Sequence, residues 1–225
     1  MARVVLVPTP IGNLEDITLR AIRVLREAGL VAAEDTRTSG NLLKHLGISV
    51  PTTALHMHNE HQKTSYLLDR VEREDMTLAV ITDAGTPGIS DPGFMVVREA
   101  VARGITVEVL PGPVAFVPAL VASGLPCDRF CFEGFLPQKK GRRTRLDALK
   151  DETRTMVFYE SPHRIQRSIE DLAEAFGPER QACISRELSK IHEEHLRGSL
   201  QTLLEHLKTH TLKGEIVLVV AGNNE

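Results

Sequence analysis

The segment Thr82-Asp83-Ala84-Gly85-Thr86-Pro87-Gly88-Ile89-Ser90-Asp91-Pro92-Gly93 constrains this chain more than any other. The apolar run Leu78 to Ile81 precedes it and Phe94 to Val97 follows it, so a buried strand feeds a stiff loop that feeds a helix. Its glycines allow positive φ and close backbone approach, and its prolines fix the path. Ser90 or Asp91 is positioned to cap the helix. Loops at the carboxyl ends of parallel strands are where α/β proteins hold ligands. This loop carries carboxylates and no Lys or Arg. It therefore suits a zwitterionic or cationic ligand better than a polyphosphate.

The same alternation runs through the first half. Strands are expected at 3–7, 30–33, 52–55, 78–81 and 105–110, with helices at 17–28, 38–46, 64–73 and 94–103 between them. Repeated strand–helix units predict a mainly parallel sheet with helices on both faces. The Leu110-Pro111-Gly112-Pro113 corner marks the expected boundary between domains 1–112 and 113–225. In the second half a helix at 114–123 precedes strands at 130–135, 155–159, 182–187 and 215–221, with helices at 143–150, 162–176 and 200–208. A short strand at 195–198 beside 182–187 would make an antiparallel pair. The predicted fold class is α/β: two α/β domains, the N-terminal sheet mainly parallel and the C-terminal sheet mixed.

Composition narrows the function. A net charge of −3 excludes a molecule that is basic overall, so any nucleic acid must meet a local patch. Cys127, Cys131 and Cys183 form no Cys-x-x-Cys pair and no zinc spacing, which leaves buried free thiols as the expectation and no metal. The absence of a signal peptide, and of any apolar run near about 18 residues, gives the expectation of a cytoplasmic chain that spans no membrane.

Polar loops follow the first four strands: Pro8 to Asp16, Glu34 to Arg37, His56 to Gln62, and the Asp83 loop. In a parallel sheet they converge on one edge. Neither a Gly-x-Gly-x-x-Gly nor a phosphate-loop motif occurs, so ordinary dinucleotide and Walker sites are disfavoured. The three histidines of His56 to His61 lack helical pairing and specify no metal geometry, so the loop is expected to face substrate. His163 is expected to open a helix. Lys139, Lys140, Arg142, Arg143 and Arg145 crowd a helix start, where cations oppose the macrodipole. The run is either a solvated face or the seat of an anion such as a phosphate. Arg186, Glu187 and Lys190 form either an ion-pair cluster or the far wall of the crevice.

Taken together, LVPTPIGNLEDITLRA (6–21), AEDTRTSGNLLKHLGI (33–48), HNEH (58–61), ITDAGTPGISDPG (81–93), LPGPVAF (110–116), FEGFLP (132–137), YESPHR (159–164) and SRELSKIHEEHLRG (185–198) resemble the tetrapyrrole methylase superfamily, the class III S-adenosylmethionine-dependent methyltransferases. The resemblance covers nearly the whole chain and is strongest to members acting on small-subunit ribosomal RNA. It implies two α/β domains with S-adenosylmethionine folded into the cleft between them, and a homodimer. It implies methylation of the ribose 2′-hydroxyl of a cytidine in the decoding region, on RNA or on the assembled small subunit. The cofactor residues it implies are Pro10, Asp83, Gly85, Gly88, Ile89, Ser90, Asp91, Pro111 and Gly112, then Ser123, Phe158, Leu188, Gly214 and Glu215 in the second domain.

That reaction asks for alignment of nucleophile, methyl group and sulfur, and for removal of one proton. The candidate bases are Asp35, Asp83 and Glu160, with Glu34 behind them, and sequence does not choose among them. Arg37 and Arg186 are candidates to orient phosphate or ribose, and the basic run 139–145 to bind RNA. A methylase of a tetrapyrrole or of a modified protein residue, and a noncatalytic ribosome-assembly factor, stand as alternatives.

Overall fold

The computed structural model describes residues 2–223, which form two compact units that divide after Val114. The first unit runs β1 (Arg3–Leu6), a 3-10 turn (Leu14–Asp16), α1 (Leu19–Glu27), β2 (Leu30–Ala33), α2 (Thr36–His45), β3 (Thr52–Ala54), α3 (Glu60–Arg73), β4 (Thr77–Ile81), α4 (Phe94–Ala102) and β5 (Thr106–Val109). Its sheet has the order β3-β2-β4-β1-β5, with every pairing parallel.

Both faces of this sheet are buried, which explains why its strands read as continuous apolar runs. Val4 and Leu6 of β1, Leu30 and Ala32 of β2, and Leu78 and Val80 of β4 point to the side covered by Leu67, Leu68 and Val71 of α3 and Val96 and Ala100 of α4. The alternate residues Val5, Val31, Ala33, Ala79 and Ile81 point to the side covered by Ala21, Val24 and Leu25 of α1 and Leu43 of α2. The two-residue period of a strand thus builds two cores from one sheet.

In this unit α1 and α2 start within two residues of expectation, α3 starts earlier, and α4 starts where expected with a different cap. α3 begins at Glu60, four residues before the expected Thr64, so Glu60 and His61 are helical and not loop. α4 is capped by neither Ser90 nor Asp91. Its N-cap is Gly93 at φ 132°, and the buried Glu60 carboxylate accepts the N–H groups of Gly93 (2.8 Å) and Met95 (2.9 Å). A long-range side chain takes the role expected of a local cap.

The second unit runs α5 (Phe116–Ser123), β6 (Phe130–Phe135), α6 (Arg142–Leu149), β7 (Thr155–Glu160), α7 (Ile165–Phe176), β8 (Gln181–Arg186), β9 (Glu194–Ser199), α8 (Leu200–Thr209) and β10 (Ile216–Val220). Its sheet, β6-β7-β10-β8-β9, is mixed: β6 and β7 are parallel and the remaining pairings antiparallel. The expected strand at 195–198 is the middle of β9, paired antiparallel with β8. Ile165, Ile169, Leu172 and Phe176 form one stripe of α7 and pack with α6 and α8 against Met156, Phe158, Ile184 and Leu218. Ile169 is fully buried, so shortening it to alanine removes about 2–5 kcal/mol of stability. α5 packs on β7, β8 and β10.

Candidate active site

In the first unit the loops after β1, β2 and β4 meet at the carboxyl edge of the sheet. Thr9 and Gly85 exchange two backbone hydrogen bonds of 2.9 Å, and the Thr9 hydroxyl donates to the Thr82 carbonyl (3.0 Å). The loop after β2 is tied in by side chains: Asp35 N–H donates to Asp83 Oδ1 (3.2 Å), and Asp83 N–H to Glu34 Oε2 (3.4 Å). The Thr86 hydroxyl donates to the Pro113 carbonyl (3.0 Å), which fastens the glycine loop to the Pro-Gly corner after β5.

Glycine is required at two points here. Gly85 has φ +80°. At Gly112 a Cβ would lie 2.6 Å from the Pro8 side chain, so no larger residue fits. Ser90 also holds a left-handed φ, 64°, without being glycine. Strain of this kind costs about 1–3 kcal/mol and gathers at ligand sites.

These loops concentrate negative charge. Burial, then the neighbouring Glu34 and Asp83, pushes the Asp91 carboxyl up to about 6. Burial also raises Glu34 and Asp83 above the ordinary carboxylate range, with Asp83 adding to the effect on Glu34 and Asp35 to that on Asp83. Asp35 goes the other way. It caps α2 through the Arg37 N–H (2.8 Å) and binds the Arg37 guanidinium (2.9 Å), and that side-chain hydrogen bond holds it at about 2. A carboxylate held so low is a weak proton acceptor, and Arg37 is engaged in holding it there.

In the second unit several expected site residues are engaged within the fold. Glu160 is buried and fully engaged: it accepts from the Ser168 hydroxyl (2.5 Å), the Ser161 N–H (2.7 Å) and the Arg164 guanidinium (3.0 Å). It anchors the entry to α7 and is not a free base. The Phe158 side chain lies in the core, 1% exposed, leaving only its backbone for a ligand. The Ser123 hydroxyl closes α5 by donating to Leu120 O and accepting from Leu125 N–H.

Leu188 is buried between Glu187 (φ 51°) and Ser189 (φ 67°), two further left-handed residues. The Glu187 carboxylate accepts from Lys190 Nζ (2.9 Å) and the Glu215 N–H (3.0 Å) and lies against Gly214, where a Cβ would sit 2.2 Å from Oε1. Lys190 also bridges to Glu215 (2.9 Å). Arg186 is paired with Glu194 (2.6 Å), which removes it from the set of free cations.

The basic run separates into two kinds of residue. Arg142 is buried, bonding Asp171 (2.6 Å), the Ser168 hydroxyl (3.0 Å) and the Pro137 carbonyl (3.2 Å). It fastens α6 to α7 and is withdrawn from the RNA-binding set. Arg145 pairs with Glu133, which sits at the register shift of β6. Lys139, Lys140 and Arg143 remain exposed, with Arg143 reaching Glu174 (3.1 Å) at the surface.

The most informative residue that sequence reading missed is Glu60. An acidic residue in the first turn of an amphipathic stretch is a visible signal, but its partners at Gly93 and Met95 are not.

A profile of the Tetrapyrrole (Corrin/Porphyrin) Methylases matches residues 3–204. The chain belongs to the tetrapyrrole methylase family. Among relatives, it is 51% identical to a ribosomal RNA small subunit methyltransferase I of Pseudomonas aeruginosa over 96% of this chain and 77% of the relative. It is 50% identical to the protein of that name in Escherichia coli O157:H7, over 97% of this chain and 77% of the relative. In fold it is similar to a uroporphyrin-III-C-methyltransferase from Thermus thermophilus (TM-score 0.68, 24% identity, covering 98% of this chain and 94% of that one). It is also similar to diphthine synthase (TM-score 0.74, 15% identity, covering 97% and 89%).

As a member of this family the chain is a methyltransferase that uses S-adenosylmethionine. The first-unit residues fit that group. The Gly85 loop offers backbone at close range, no phosphate-binding cation crowds it, and Glu34, Asp83 and Asp91 supply the negative field that a sulfonium and an ammonium need.

Proposed function

We propose that the chain methylates the ribose 2′-hydroxyl of a cytidine in the decoding region of small-subunit ribosomal RNA, acting as a cytoplasmic homodimer. The observation that carries the reading is the joining of an acidic, cation-free glycine loop to a chain about half identical to relatives named for ribosomal RNA small subunit methylation. Among the described residues no helix is long and apolar enough to cross a membrane.

In this reading Asp83, Gly85, Gly88, Ile89, Ser90 and Asp91 of the first unit hold the cofactor, with Pro10 and the Pro111-Gly112 corner. The backbone at Ser123, Phe158, Leu188, Gly214 and Glu215 completes the set. When bound, S-adenosylmethionine supplies a methyl group made electrophilic by its sulfonium. The protein's part is to align the hydroxyl with that methyl group and to accept one proton. Alignment can lower such barriers by ~7–11 kcal/mol. A base near the working pH adds about 10²–10⁴-fold. Asp91, with its proton affinity raised to about 6, meets that requirement better than Asp35 at about 2, and Asp83 stands next.

The test is to incubate the protein with methyl-labelled cofactor and either free small-subunit RNA or assembled subunits, then map the labelled nucleoside. Label on a cytidine 2′-oxygen supports the reading. Label on a base, or no transfer to either substrate, overturns it.

A further inference from the structure

On the α1–α2 side of the first unit an open depression of about 280 Å³ lies between the loop after β1 and α2, and reaches Thr82 and Asp83. Its walls mix apolar surface from Pro10, Leu14 and Leu42 with polar groups from Ser39, Asn41 and Asp83. Leu14 is 44% exposed, an aliphatic side chain left in water on the rim. The decisive group is Ser39. It is 2% exposed, and its hydroxyl has no hydrogen-bond partner among the described residues. Leaving a buried hydroxyl unsatisfied costs about 1–3 kcal/mol, and such groups in native proteins ask for an explanation.

We infer that this depression seats the nucleobase of the target nucleotide, and that its polar wall reads an amino-bearing pyrimidine. The inference rests on the RNA reading above and adds to it a base-recognition site. RNA is read in sequence chiefly through unstacked bases, and an extruded base is held between aromatic or apolar side chains while its edge meets hydrogen-bonding groups. Leu14, Pro10 and Leu42 supply the first. For the second, Asp83 commits Oδ1 to the Asp35 N–H, which leaves Oδ2 to accept from an exocyclic amine. The Asn41 amide and the Ser39 hydroxyl can donate to the ring nitrogen and carbonyl of cytosine. Uracil carries a carbonyl where cytosine carries the amine, so it would face the Asp83 carboxylate with no proton to give. Asp83 also opens the glycine loop, and with both its oxygens committed to Asp35 and the base the proton falls to Asp91 of the same loop.

The test uses the full chain labelled at leucine methyl groups and titrated with cytidine or uridine 5′-monophosphate. The expected result is shifts at Leu14 and Leu42 with the cytidine nucleotide, and binding at least several-fold weaker with the uridine nucleotide. Leu42→Trp, which fills the depression, should abolish those shifts. Ser39→Ala, which removes an unsatisfied buried hydroxyl, should hold melting at or above the wild-type value and weaken nucleotide binding about tenfold. In turnover with small subunits both variants should raise KM while S-adenosylmethionine affinity stays at the wild-type value. Cytidine nucleotide shifts elsewhere, equal binding of the two nucleotides, or an unaltered Ser39→Ala protein would overturn the base site. A wild-type protein that binds the cytidine nucleotide here but labels no RNA would instead overturn the proposed reaction, so the two failures are distinguishable.

Discussion

Asp91 owes its pH behaviour to burial among like charges. Its carboxyl is raised from an ordinary value of 3.8 to about 6, because burial and the charges of Glu34 and Asp83 disfavour its ionised form. A raised folded-state value means that the contribution of Asp91 to stability is fully present below about pH 4 and is lost as pH rises through about 6. Asp91→Asn should therefore raise the melting temperature at about pH 7.5 and leave it unchanged at about pH 4, a contrast that thermal scans at the two pH values would read. Binding a cationic ligand beside this cluster favours the ionised carboxylates, so S-adenosylmethionine affinity should increase between about pH 5 and 7 with proton release on binding. Calorimetry in two buffers of different ionisation enthalpy checks this. A flat profile would place the cation away from Asp91. The glycine loop that holds Asp91 was legible in sequence as the link from a buried strand to a helix, but its proton affinity was not. That value depends on Glu34, a residue distant in sequence that the parallel pairing of β2 with β4 brings to the same edge.

At the scale of elements, the local rules that sequence can express were obeyed wherever a partner lay nearby. Thr18 caps α1 and Ser199 caps α8 through their own hydroxyls, and the alternating apolar residues of β1, β2 and β4 separate onto two faces as their period requires. The misses are long-range. α4 owes its start to Glu60 of α3, and Arg142 of the basic run is a buried staple to Asp171 and not a surface cation. Glu60→Ala leaves the amides of Gly93 and Met95 without their acceptor and should destabilise the first unit by about 2–4 kcal/mol. Because the glycine loop runs directly into α4, the same change should weaken cofactor binding, whereas Glu60→Gln, which keeps an acceptor, should restore part of both. Denaturant titration with calorimetry on the two variants separates these outcomes. Arg142→Ala should cost about 3 kcal/mol of stability by removing the buried guanidinium that ties Asp171, the Ser168 hydroxyl and the Pro137 carbonyl together. A loss below about 0.5 kcal/mol would show that α6 does not depend on the staple.

For the whole molecule, the remaining exposed cations and the exposed apolar surface make separable demands. Lys139, Lys140 and Arg143 stand in solvent at the start of α6 of a chain whose net charge is −3, so repulsion from RNA must be overcome locally. Replacing the three with alanine should leave stability within about 0.5 kcal/mol. The log–log salt dependence of subunit binding should flatten by roughly 0.7–0.9 for each phosphate that is no longer neutralised. An unchanged slope would mean that RNA docks elsewhere. The second demand concerns self-association. Val117 and Val121, one helical turn apart on α5, are 42% and 65% exposed, and Val109 and Phe94 of the first unit are 54% and 59% exposed. Apolar side chains spaced to share a helix face are costly to leave in water and gain from burial at roughly 25 cal/mol per Å². If a homodimer covers α5, light scattering at micromolar concentration should report about twice the 24.9 kDa chain mass. Val117→Glu with Val121→Glu would bring two like charges into each copy of that face. If α5 is the interface, the double variant should scatter as a folded monomer. If it remains a dimer with wild-type melting, α5 faces solvent and the association surface lies on another element.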